Sequence, residues 1–97
     1  MMFRRLYWVT EQLSRSGEAH VHGVYTSIPD LLRRGIGEEL PDGFRLNLVK
    51  LDNDCGPLGS WEAPTFDGLG EKLSEYVVTD EFSPDQVETL LSRLGAA

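Results

Sequence analysis

Three consecutive large apolar residues, Tyr7, Trp8 and Val9, lie inside the stretch FRRLYWVTEQ at residues 3–12. Aromatic and β-branched residues favour strands, and successive side chains of a strand point to opposite faces of its sheet. A strand that is apolar on both faces is usually central in its sheet. This stretch therefore predicts a strand with a neighbour on each side, and that position constrains every other element.

Turn and cap signals divide the next part of the chain. The polar segment at residues 13–18 predicts a hairpin loop, and AHVHGVYTS at 19–27 predicts a second strand. Ser27 is suited to cap a helix, and Pro29 is tolerated in its first turn, so we expect a helix to begin there. A proline–glycine turn then precedes FRLNLVKLD at 44–52, which predicts the third strand.

The last third of the chain predicts a loop at residues 53–64 and then two amphipathic helices. The first helix, within 65–78, has apolar residues at helical spacing, but its glycines weaken the first turns. The second begins after Ser83, with a capping box completed by Gln86. Its apolar stripe should be buried and consists of Val87, Leu90, Leu91 and Leu94.

The element order β-β-α-β-α-α predicts one small α+β domain over residues 1–97, with an acidic helical part at about 65–95. We expect a three-stranded, mainly antiparallel sheet of order 2-1-3 with the helices packed on it. The connection between the second and third strands contains a helix, so these strands run in the same direction. Order 1-2-3, with a parallel pair, stays open as the alternative.

Glu18, His20 and His22 alternate along the second predicted strand, which would place them on one face. Imidazole and carboxylate groups are ligands for zinc, so a small metal-dependent enzyme is one functional alternative. Alternate strand residues are about 7 Å apart, however, and a structural zinc site needs four ligands. The other interpretation is a polar edge strand that discourages association between sheets. We expect this second interpretation, with no catalytic, cofactor-binding or metal-binding residue.

The net charge of −7 is concentrated near the C-terminus. Residues 1–61 carry 7 Lys and Arg against 8 Asp and Glu, whereas residues 62–97 carry 2 against 8. This acidity argues against binding to nucleic acid or to an anionic membrane, because both need a positive patch. A basic protein surface is the partner that it favours. A homodimer is the other possibility, in which a second copy presents Arg4, Arg5, Arg33 and Arg34.

Five residues form the candidate partner surface. Trp61, in the loop GSWEAP, either fills the edge of the core or anchors a partner. Glu71, Glu75, Asp85 and Glu88 fall away from the apolar stripes and should be exposed together. The leading functional interpretation is a non-enzymatic protein-interaction module. An alternative is an acidic inhibitor or immunity-type protein that covers a basic target surface.

Cysteine content and hydropathy bear on the compartment. The chain has one cysteine, Cys55, so an internal disulfide cannot form and a reducing, intracellular setting is the simplest interpretation. No apolar run approaches the roughly 18 residues that a membrane span needs. The N-terminal segment MMFRRLYWVTEQ lacks a signal-peptide core and a small-residue cleavage site. We therefore expect a cytoplasmic protein.

Four motifs in the order LYWVT, HVHGVYTSIPD, PDGFRLNLVKLD and a later tryptophan resemble a group of small uncharacterised bacterial domains. The resemblance covers about residues 6–61 and departs at Pro29 and in the acidic extension after Trp61. It implies a small α+β fold in a bacterial or phage protein and no catalytic residues, since the group has no assigned activity. The matching positions are Gly23 to Ser27, Gly43, Phe44, Leu46, Leu51, Asp52 and Trp61.

We expect His20 and His22 to face solvent and to bind no metal, because the strand spacing and the missing fourth ligand disfavour an ion. Elemental analysis of protein purified without a histidine tag should find no stoichiometric zinc. A chelator should leave the melting temperature unchanged. One zinc per chain, or a chelator-induced fall in melting temperature, would contradict this expectation.

Overall fold

The computed structural model describes residues 6–36, 43–52 and 55–95. The strands are β1 (Leu6–Leu13), β2 (Ala19–Tyr25), β3 (Phe44–Lys50) and β4 (Gly59–Glu62). The helical elements are α1 (Ile28–Asp30), which continues as a π-helical turn at Leu31–Gly35, and then α2 (Leu69–Val78) and α3 (Pro84–Leu94). The α+β class is confirmed.

The strands form one antiparallel sheet of order β2-β1-β3-β4. Trp8 lies opposite Tyr25 of β2 and opposite Leu48 of β3, so β1 has a hydrogen-bonded neighbour on each side. The predicted order 2-1-3 is confirmed for the first three strands, and the alternative with a parallel pair is wrong. The consecutive apolar residues of β1 therefore indicated its central place correctly.

The fourth strand lies inside the segment for which the sequence predicts a loop, so the prediction of a three-stranded sheet is wrong in this detail. β4 has only four residues, and local propensity gives little sign of it. Its pairing is set by Trp61, which lies opposite Leu46 and is 8% exposed. A Cβ at Gly59 would come closer than 3.0 Å to the indole ring, so a glycine leaves room for the tryptophan.

All three helical elements contribute to one core, which lies on the Trp8 side of the sheet. The Trp8 ring stacks on Phe82, in the turn between α2 and α3, with 5.8 Å between ring centroids. Phe82 in turn meets Tyr76 of α2 edge-on at 6.1 Å. The fully buried large side chains around this group include Ile28, Leu31, Leu46, Leu48, Leu69, Leu73 and Leu90.

Tyr25, at the end of β2, contacts the π-helical turn. Its hydroxyl donates a hydrogen bond to the Arg34 carbonyl oxygen at 3.2 Å, and the Arg34 guanidinium lies 5.8 Å from the ring centroid. The ring passes close to the backbone at Gly23 and Gly35, where an added Cβ would come closer than 3.0 Å to ring atoms. Both glycines are therefore needed for the aromatic ring to lie flat across the strand and against the turn.

The predicted helix caps are confirmed. The Ser27 hydroxyl accepts a hydrogen bond from the Asp30 backbone N–H at 3.3 Å. At α3, Ser83 and Gln86 form the reciprocal capping box, each side chain 3.2 Å from the backbone nitrogen of the other. After Asp30 the chain adopts a wider π-helical turn, so the helical structure that begins at Ile28 continues to Gly35 in this form.

The amphipathic helices differ from the sequence prediction in two respects. Helix α2 begins at Leu69 rather than in the first part of 65–78, because Gly68 adopts a left-handed conformation with φ of 81°. In α3, Val87 and Leu90 are buried as predicted, but Leu91 and Leu94 are only partly buried.

No helix in the described ranges is long and apolar enough to cross a membrane.

Leu90→Ala should lower the free energy of unfolding by about 2–5 kcal/mol, because a fully buried leucine leaves a cavity in the core. Leu91→Ala, on the same helix but partly exposed, should cost less. Urea unfolding followed by circular dichroism measures both values. Equal losses for the two variants would show that the exposure of the α3 stripe is assigned wrongly.

Candidate functional site on the open face of the sheet

A β-bulge at His22 decides which residues of β2 share a face. Across the β1–β2 pair, Val9 lies opposite Val24 and Glu11 lies opposite Val21. Between these two pairs, β1 has one residue, Thr10, and β2 has two, Gly23 and His22. Gly23 lies opposite Thr10, so His22 is the extra residue. Directly opposite residues point to the same side of a sheet. The bulge therefore places Val21 and Val24 together, on the side away from Trp8.

We call the side of the sheet away from Trp8 the open face. The buried residues of the helices belong to the same cluster as Trp8, so within the described part of the chain the helices pack on the opposite side. The register of the four strands gives the membership of the open face. Its residues are Tyr7, Val9, Glu11, Leu13, Ala19, Val21, Val24, Arg45, Asn47, Val49, Ser60 and Glu62.

The half of the open face formed by β2 and β1 is apolar. Val21 is 65% exposed and Val24 is 57% exposed, and Val9 lies beside them; we call these three residues the valine patch. Tyr7 and Val49, an opposed and partly buried pair, extend it towards β3. The valine patch is therefore the exposed apolar part of the open face and its candidate contact surface.

The half formed by β3 and β4, together with Glu11, is polar. Arg45 donates two hydrogen bonds to Glu62 Oε1, from Nε at 3.0 Å and from Nη2 at 2.7 Å. Its Nη1 lies 3.5 Å from Glu11 Oε1. We call Glu11, Arg45 and Glu62 the charged row, since they lie side by side across three strands.

Asn47 connects the charged row to the valine patch. It is 5% exposed and donates from Nδ2 to the Val9 carbonyl oxygen at 3.1 Å and to Glu11 Oε1 at 2.8 Å. Its Oδ1 accepts a hydrogen bond from the Ser60 hydroxyl. The amide thus holds β1, β3 and β4 in register on this face and fixes the Glu11 carboxylate beside Arg45.

Hydrogen bonding to Glu62 raises the pKa of Arg45 above its ordinary value. Desolvation acts in the opposite direction, and the nearby Glu62 and Glu11 charges add to the rise. Arg45 therefore stays protonated throughout the physiological range. The row thus presents a cation between two carboxylates.

The structure does not align Glu18, His20 and His22 as predicted. His20 lies opposite Gln12, on the Trp8 side, and His22 is the bulge residue. His20 Nε2 is 3.4 Å from Glu18 Oε2, and both histidines are exposed, as expected. Among residues 6–36, 43–52 and 55–95, no group of three or more His, Cys, Asp or Glu side chains could hold a metal ion.

The predicted partner surface is divided between core and solvent. Trp61 is buried and packs against the core, so its indole is not available as an exposed anchor. The four carboxylates are exposed on α2 and α3, which pack against each other: Glu71, Glu75, Asp85 and Glu88. Glu75 also lies 3.6 Å from the Lys72 ammonium. Contact between these carboxylates and a partner stays a prediction.

Two of the four arginines expected to face them in a second copy have contacts within the chain. Arg33 forms an ion pair with Asp30, and Arg34 lies over the Tyr25 ring. Arg4 and Arg5 lie outside the described residues. The contact of these arginines with a second copy stays a prediction.

Comparison with known proteins adds no relative, since no family model, no curated protein and no solved structure matches the chain. The resemblance to small bacterial domains stays a prediction. Inference about function must therefore start from the open face.

The valine patch was not among the residues singled out from the sequence. Strict alternation along β2 places Val21 and Val24 on opposite faces, and only the bulge brings them together. One signal for the bulge is present in the sequence, because an isolated glycine inside a strand, here Gly23, often marks a bulge or a close approach.

Asn47→Ala should lower the free energy of unfolding by about 1–3 kcal/mol, because it removes a buried amide that donates to the Val9 carbonyl oxygen and to Glu11 Oε1. Ser60→Ala, which removes one exposed hydroxyl from the same network, should cost less. Chemical denaturation of the two variants measures the difference. A cost for Ser60→Ala as large as that for Asn47→Ala would mean that the amide is not the organising group.

Proposed function

We propose that the protein is a non-enzymatic protein-interaction domain that binds through the open face. The observation that carries the proposal is the valine patch, where two side chains more than half exposed lie at one edge of the sheet face opposite the described helices. Burying apolar surface contributes roughly 25 cal/mol per Å², so covering the patch favours association. The charged row beside it supplies the polar rim that gives an interface its orientation.

The arrangement of the open face supports recognition rather than catalysis. Asn47 and Arg45 use their donors within the polar network, and Arg45 stays charged. A protein partner with a complementary apolar surface and one or two charged groups suits such a face.

The acidic inhibitor or immunity-type protein is the second candidate. It is favoured by the exposure of four carboxylates on α2 and α3, on the other layer of the molecule. The two candidates differ in their response to salt. Binding through the valine patch should change little with salt, whereas binding of the acidic helices to a basic target should weaken as salt rises. For either candidate, we propose the cytoplasm as the location, since the single cysteine fits a reducing compartment.

Val24→Lys should reduce retention of a protein partner at least about tenfold, equivalent to about 1.4 kcal/mol, because the ammonium group would have to be desolvated at the interface. Val78→Lys is the matched control. Val78 is also an exposed valine, 83% exposed, but it lies at the end of α2 in the helix layer. Both variants change the net charge from −7 to −6, so a difference between them reports position and not charge.

The measurement is affinity capture from the native cell with the original protein and the two variants in parallel, followed by quantification of each retained protein. A partner lost only with Val24→Lys supports the open face. A partner lost with the double variant Glu71→Lys, Glu75→Lys and unaffected by Val24→Lys would replace the open face with the acidic helices. A catalytic activity that survives all these changes would argue against an interaction domain.

A further inference from the structure

We draw no further inference here: the strongest candidate, the exposed valine patch at the β2 side of the open face, belongs to the site already described, and nothing in the structure shows what covers it.

Discussion

Burial of Trp8 is the interaction on which the rest of the structure depends. A buried tryptophan removes about 150–250 Å² from water, which at roughly 25 cal/mol per Å² contributes about 4–6 kcal/mol. Within the described residues, its indole N–H has no hydrogen-bond partner, and such a group costs about 1–3 kcal/mol. Packing therefore outweighs the lost hydrogen bond. Because the ring stacks on Phe82, the centre of the sheet also fixes the turn between α2 and α3.

The alternation of side chains along β1 and β3 explains why the helices cover one face of the sheet and not the other. Trp8, Leu46 and Leu48 lie on one side of the two central strands and are covered by the helices. Val9 and Asn47, which alternate with them, lie on the open face, where the hydrogen-bond network takes the place of a covering layer. Polar contacts at β3 and β4 therefore order one half of the open face, while Val21 and Val24 at β2 stay exposed.

The parts of the fold that the sequence predicts are those set by local rules. The central place of β1 follows from the apolar groups on both of its faces, and the caps at Ser27 and Ser83 follow from short-range hydrogen bonds. Strand β4 could not be predicted in this way, because its pairing depends on Trp61 meeting Leu46 across the sheet. Long-range packing, not propensity, makes those four residues a strand.

The candidate site was harder to predict than the fold, for a related reason. The extra residue in β2 shifts the alternation of side chains by one position. The residues before it therefore point to the face opposite the one that strict alternation predicts. The sequence therefore suggested the histidines and the acidic helices, and not Val21 and Val24. The burial of Trp61, by contrast, agrees with one of the two interpretations that the sequence allowed.

The Tyr25 ring has a consequence for how this chain can change over evolutionary time. Because the ring occupies the space that a side chain would need at Gly23 and at Gly35, the three positions cannot vary independently. A larger residue at either glycine becomes tolerable only after position 25 has lost its ring, and loss of the ring also removes the hydrogen bond to Arg34. Among relatives of this chain, a residue larger than glycine at position 23 or 35 should therefore occur only where position 25 has no ring.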